Sequence, residues 1–163
     1  MNRRKFLVAV AAGGVAGVAG CVSSTNPGTG GENTTDDPTT EQSPTLTNTS
    51  FTVLSKDCGS EVSEASVSHQ PDQSQVQVSG IIFGPSACYT GTLESATYDG
   101  ESDTLSVHVV TEQPDEDAMC AQCIQEIQYE ASIGFENGLP ETVVVTHTTN
   151  GEAHEVARAS QSA

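Results

Sequence analysis

The sequence predicts an all-β protein: a small antiparallel β-sandwich of about seven or eight strands. Two observations carry that reading. Apolar residues recur at every second position in run after run beyond Phe51, and turn-forming dipeptides separate the runs. Alternation of this kind puts one face of a strand on a core and the other in solvent. A small β-barrel is the competing architecture, and no internal repeat of useful length is present.

In chain order, Phe51 and Val53 begin the pattern. Glu61–Val67 is the least regular segment, and Glu61-Val62-Ser63-Glu64-Ala65 reads as a short helical turn. Val76 and Val78 resume the alternation and lead into Ile81-Ile82-Phe83. A strand over Leu93–Tyr98 is expected to form a hairpin with Leu105–Val110, capped by Asp99–Asp103. The longest alternating run holds Ile127, Tyr129, Ala131, Ile133 and Phe135. Val143 and Val145 follow, then a terminal run with His154 and Val156. Turns are marked by Gln70-Pro71-Asp72, Phe83-Gly84-Pro85-Ser86, Asn137-Gly138 and Asn150-Gly151. The last dipeptide suits a tight type I′ hairpin turn. These limits place the folded domain at 51–159, with 160–163 as a disordered tail.

The chain has 163 residues, 35% hydrophobic and 4% aromatic, with no Trp. That is a thin supply for a core. Acidic residues number 22 against five Lys and Arg. Three of those five are Arg3, Arg4 and Lys5; without residues 1–20 only Lys56 and Arg158 remain, for a net charge of −20. A chain so short of cations has no basic patch for phosphates, which argues against nucleic-acid binding. It argues equally against adhesion to an anionic membrane surface. Self-repulsion weakens such a fold at low salt, and at about 1 M salt the screening length falls to roughly 3 Å. The composition therefore points to concentrated brine and an extreme halophile, an archaeon. An acidic calcium-binding protein is the alternative.

Residues 2–7 read Asn-Arg-Arg-Lys-Phe-Leu. An apolar run from Phe6 to Ala19 follows, about 14 residues long, whereas about 20 are needed to span a bilayer. It ends in Val18-Ala19-Gly20-Cys21. A positive start, a short apolar stretch and small residues at its end describe a cleavable signal. Arg3 and Arg4 before Phe-Leu resemble the twin-arginine export signal. Val18–Cys21 resembles the lipobox of bacterial and haloarchaeal lipoproteins. The resemblance spans residues 2–21 and implies export in the folded state, followed by lipidation of the Cys21 thiol. It places the mature chain on the outer face of the cell membrane, held through the lipid on Cys21.

From Val22 to Ser50 the chain is mostly Ser, Thr, Gly, Pro, Asn, Asp and Glu. Such a segment buries too little to offset its ordering entropy. Segment 21–50 is therefore expected to be the lipidated Cys and a disordered linker. Its typical end-to-end distance is on the order of 30 Å. Asn33 and Asn48 head N-glycosylation sequons within it.

Four cysteines remain: Cys58, Cys88, Cys120 and Cys123. Outside the cytoplasm disulfides persist, and each contributes about 2–4 kcal/mol to a small domain. Of the three possible pairings, the one expected here is Cys88–Cys120 with Cys58–Cys123. The alternative is a local redox pair or half of a metal site at Cys120-Ala121-Gln122-Cys123. Redox work is opposed by Asp115, Glu116 and Asp117, which would raise a nearby thiol pKa. A zinc or copper site would need Cys120, Cys123 and a distant His, for which His147 is the candidate. His147 shares the inward parity of Val143 and Val145, His108 falls on the outward parity, and His69 and His154 complete the set. Calcium at Asp115–Asp117 lacks the EF-hand spacing.

No Gly-x-Ser-x-Gly elbow, phosphate-cradling Gly-x-x-x-x-Gly-Lys or His-Glu-x-x-His occurs. The expected function is a non-enzymatic, disulfide-stabilised binding or envelope module with no catalytic residue and no cofactor. Its expected contact loops are Gly84–Cys88 and Gln113–Cys123. The alternative is a redox or metal-handling lipoprotein built on Cys120 and Cys123.

Overall fold

Eight strands make the architecture of the computed structural model, which describes residues 42–115 and 117–161. They are β1 (Thr45–Cys58), β2 (Glu64–Gln70), β3 (Gln75–Gly84), β4 (Thr90–Asp99), β5 (Thr104–Glu112), β6 (Gln125–Glu136), β7 (Thr142–Thr149) and β8 (Glu152–Ser160). Two four-stranded sheets result, in the orders β1-β6-β3-β2 and β4-β5-β7-β8. They stack as a sandwich and do not close into a barrel. Arg3, Arg4, Cys21 and Asn33 lie outside the described residues.

The alternation predicted from sequence sets the two inner faces. Val76, Val78 and Ile82 of β3 are fully buried, as are Ile127, Tyr129 and Ile133 of β6. Leu105 and Val109 of β5 and Val143 and Val145 of β7 meet them from the other sheet. The core therefore sits on the four inner strands, while the outer strands contribute half-buried residues such as Phe51, Val67, Leu93 and Val156. Phe51 stacks on Tyr129 with ring centroids 5.3 Å apart, and Tyr98 meets Phe135 edge-on at 5.7 Å. With so few aromatics, these contacts are the core's largest rings.

Three hairpins join consecutive strands. In the β4–β5 turn the Asp99 carboxylate accepts from the Glu101 N–H and the Ser102 hydroxyl, both at 2.9 Å. Those donors hold its pKa below the usual carboxylate range. Tyr98 donates to Asp103 at 2.7 Å and closes the turn. Burial and the facing carboxylate push the Tyr98 hydroxyl up to about 12. The β7–β8 turn places Asn150 at φ 54 and Gly151 at φ 82, the pair of left-handed residues a type I′ turn requires.

Four expectations need correction. The pairing within the sandwich is mixed: β5 and β7 run parallel. The chain leaves β5 for the other sheet, forms β6 there, and returns as β7 beside β5. β6 pairs along one edge with β1 and along the other with β3, so the chain changes sheets between β5 and β7.

The domain begins at Thr45, not 51. Leu46 packs against the core, and the segment pairs with the end of β6 from Thr45↔Glu136 onward. Asn48, expected in the linker, is therefore an exposed residue of the edge strand β1, with its side chain over Gly134. Cross-strand hydrogen bonding to a long partner has ordered a stretch whose composition alone argues for disorder.

Glu61–Val67 is not a helical turn. The chain is irregular to Ser63, and β2 then runs from Glu64 with Ala65, Val67 and His69 half-buried. The one helical turn nearby is 3-10 and spans Pro71–Gln73. At the other end β8 includes Ser160, and the Gln161 N–H donates to the Glu141 carbonyl at 2.7 Å.

Candidate functional site

Strand directions sort the loops into two ends. β1 starts at Thr45 and, about 3.3 Å per residue later, finishes at Cys58 at the far end of the sandwich. That far end gathers the β1–β2, β3–β4 and β5–β6 loops and the β7–β8 turn. The near end holds the β2–β3 and β4–β5 turns and the β6–β7 connection.

Both disulfides are at the far end. Cys58 bonds Cys123, and Cys88 bonds Cys120, with Cα atoms 5.7 and 5.4 Å apart. These are the pairs expected from sequence. The Gly59 N–H donates to the Ile124 carbonyl at 2.9 Å and the Ala87 N–H to the Ala121 carbonyl at 3.2 Å. The loops Gly84–Cys88 and Gln113–Cys123 are thereby held side by side. Met119, between the cysteines and Asp117, is fully exposed.

The alternative ligand set of Cys120, Cys123 and His147 is not assembled. Each sulfur is bonded to a different partner, so neither a local dithiol nor a thiolate pair for zinc or copper exists. His147 is committed elsewhere as well. Among the described residues no three His, Cys, Asp or Glu side chains converge as metal ligands.

His147 is buried as its parity predicted, with 1% exposure. Tyr129 Oη lies 2.8 Å from its Nε2, and Ser63 Oγ lies 2.9 Å from its Nδ1. Desolvation in the core, with the nearby His108 adding to it, lowers the His147 pKa from 6.5 to about 4, so the ring is neutral. Desolvation likewise raises the Tyr129 pKa and keeps the phenol protonated. Tyr129 has room because Gly80 stands beside it; a Cβ there would fall 2.6 Å from the phenol oxygen.

The direction of the protons follows. Among the described residues, His147 is the side-chain partner of the Tyr129 hydroxyl. A buried O–H left without an acceptor costs about 1–3 kcal/mol, so Tyr129 donates to Nε2. A neutral imidazole then carries its proton on Nδ1, which donates to Ser63 Oγ. The hydroxyl proton of Ser63 is left for an acceptor outside this relay. In this arrangement His147 donates to Ser63 Oγ and does not take its proton.

Ser63 lines a cleft of about 560 Å³ between the β1–β2 loop and the β7–β8 turn. Its other walls are Glu61, Phe83, Thr149, Asn150, Glu152, His154, Glu155 and Val156. Arg158 donates to both oxygens of Glu155, at 3.0 and 2.8 Å, and offsets that charge at the rim. A second hollow of about 450 Å³ lies on the outer face of the β1-β6-β3-β2 sheet, over Leu54, Ser66, Ser79, Ile81 and Gln128.

His108, expected outside, is half-buried on the outer face of the other sheet. Its Nδ1 is 2.6 Å from the Glu94 carboxylate and its Nε2 2.7 Å from Thr148 Oγ1. Carboxylate, imidazole and hydroxyl stand in the order used for acyl transfer. However, β7 is paired on both sides, with Thr148 opposite Val110 and Ala153. Backbone N–H groups beside Thr148 are thus committed to the ladder and are not free to hold an oxyanion. The array cross-links three strands.

Sequence reasoning placed His147 inward but missed Tyr129 and Ser63 as its partners. Inward parity of Tyr129 was legible; the position of Ser63, in an irregular loop, had no periodic signal. Among the described residues no helix is long and apolar enough to cross a membrane. Comparison with protein-family models, with curated proteins and with solved structures finds no match.

Proposed function

We propose that the chain is an exported lipoprotein, anchored through Cys21, whose sandwich presents a non-enzymatic binding surface away from the membrane. The observation that carries this reading is the polarity of the fold. The N-terminal segment joins the domain at Thr45, at one end, while both disulfides and the Ser63 cleft occupy the other. A tether running from Cys21 to Thr45 leaves that end free to meet a ligand. Loops at the ends of sandwiches commonly carry contacts, and cross-linking them removes entropy that binding would otherwise cost.

Twin-arginine export suits a domain whose disulfide-bearing loops come from distant parts of the chain and meet only once folded. The acidic surface suits brine, where the charges are screened. Donation from Tyr129 through His147 towards Ser63, which leaves no base to take the Ser63 proton, supports a binding role over catalysis.

The test is fractionation of cells making the native chain and a Cys21→Ser variant. The native chain should stay with the membrane, be cleaved by protease added to intact cells, and resist thiol alkylation at all four domain cysteines. The Cys21→Ser chain should appear in the medium or in a soluble fraction. A native chain recovered from cytosol with reactive thiols would overturn the proposal.

A further inference from the structure

We propose that the cleft beside Ser63 binds a neutral sugar, an inference that rests on reading the far end as a ligand-binding surface. Its volume of about 560 Å³ falls within the range of about 300–1,000 Å³ typical of small-molecule sites. The chemistry of its walls then selects the ligand class.

Glu61 and Glu152 are acceptors only. Ser63 Oγ, accepting from His147 Nδ1 in the relay argued above, keeps its own proton to donate. Asn150 offers both roles, and Phe83 offers an apolar face. An anion is repelled by the two carboxylates. A bare cation uses the acceptors but makes no use of the Ser63 proton. A sugar hydroxyl donates and accepts at once, so vicinal hydroxyls satisfy the carboxylates and the Ser63 donor together. Phe83 adds apolar surface that the C–H groups of a pyranose can use. Binding of this kind depends on short hydrogen bonds and apolar contact, and long-range attraction plays little part, so high salt leaves it intact.

The relay behind Ser63 explains why the donor would be fixed. Tyr129 is fully buried and His147 nearly so, and neither ring can turn without leaving a polar atom unpaired. Their rigidity extends to a hydroxyl at the cleft wall, which is the kind of support a binding group needs.

The experiment is a titration of the full ¹⁵N-labelled chain, in detergent and high salt, with glucose, mannose, galactose and N-acetylglucosamine in turn. Calcium and spermidine serve as cationic probes. At least one sugar should saturate at millimolar concentration, on the order of 4 kcal/mol of binding, and shift the amides of Ser63, Asn150 and Glu152. Ser63→Ala and Glu152→Gln should each weaken that sugar by roughly fivefold or more, the loss of one hydrogen bond. Glu152 is exposed, so its variant keeps the fold whatever Ser63→Ala does. Shifts with calcium or spermidine alone would overturn the sugar assignment, and so would no shift with any sugar up to about 100 mM. Either result from a chain still membrane-anchored and disulfide-closed sinks the sugar and spares the anchored module; the cell fractionation above tests that module separately.

Discussion

Removing one disulfide tests how this thin core is held together. The bridges close loops of 65 residues (Cys58–Cys123) and 32 residues (Cys88–Cys120), the second nested inside the first. Chain entropy in the unfolded state assigns about 4 kcal/mol to each taken alone. The longer loop leads by about 0.6 kcal/mol, since the loop length roughly doubles. Nesting reduces both figures, because breaking either bridge leaves the chain constrained by the other. We expect Cys58→Ala/Cys123→Ala and Cys88→Ala/Cys120→Ala to lose about 2–4 kcal/mol each. For a domain near 120 residues that corresponds to a melting temperature lower by on the order of 10 °C. Urea unfolding in several-molar salt gives the free energy directly. The slope against urea should also steepen, because the unfolded chain exposes more surface once a cross-link is gone. Either double variant within about 0.5 kcal/mol of the native chain, with an unchanged slope, would refute the view that sulfur bridges substitute here for apolar packing.

Other consequences can be checked on the same protein. His147 should show a protonated Nδ1 and a bare Nε2 in long-range ¹H–¹⁵N spectra; the opposite tautomer would break the proton relay inferred for Ser63. Because burial lowers the His147 pKa from 6.5 to about 4, the unfolded chain binds the proton first as pH falls. Stability from this group is full above pH 6.5 and drains away towards pH 4. A His147→Phe chain should lose that limb of the melting-temperature profile. Tyr129→Phe should cost about 1–3 kcal/mol by stranding His147 Nε2 in the core, measured by urea unfolding. Gly151→Val should cost about 1–2 kcal/mol, since the φ of 82° at that position suits glycine.

How much of this was legible beforehand varies with the kind of interaction. Alternation along β3, β5, β6 and β7 is a local property of each strand, so the sandwich class, the inward set and the buried His147 could be read from residue order. Turn chemistry at Asp99–Asp103 and Asn150-Gly151 is local too, and both hairpins stand where those residues put them. The order Thr45–Ser50 acquires is different: it comes from pairing with β6, some ninety residues away, and no local propensity announces it. β2 likewise forms because β3 offers a free edge. The parallel match of β5 with β7 goes with β6 pairing in the other sheet, with β1 along one edge and β3 along the other.

Residue order alone thus determined which faces are apolar and where the chain turns, because those depend on neighbours a few positions apart. Only the tertiary structure decided that Ser63, Tyr129 and His147 share a line of protons, that Glu94 and Thr148 bracket His108, and that the cleft opens at the end remote from Thr45. Each of those depends on strand register and sheet stacking. A hydrogen bond needs its atoms within about 3 Å, and whether residues eighty positions apart come that close is settled by how two sheets pack.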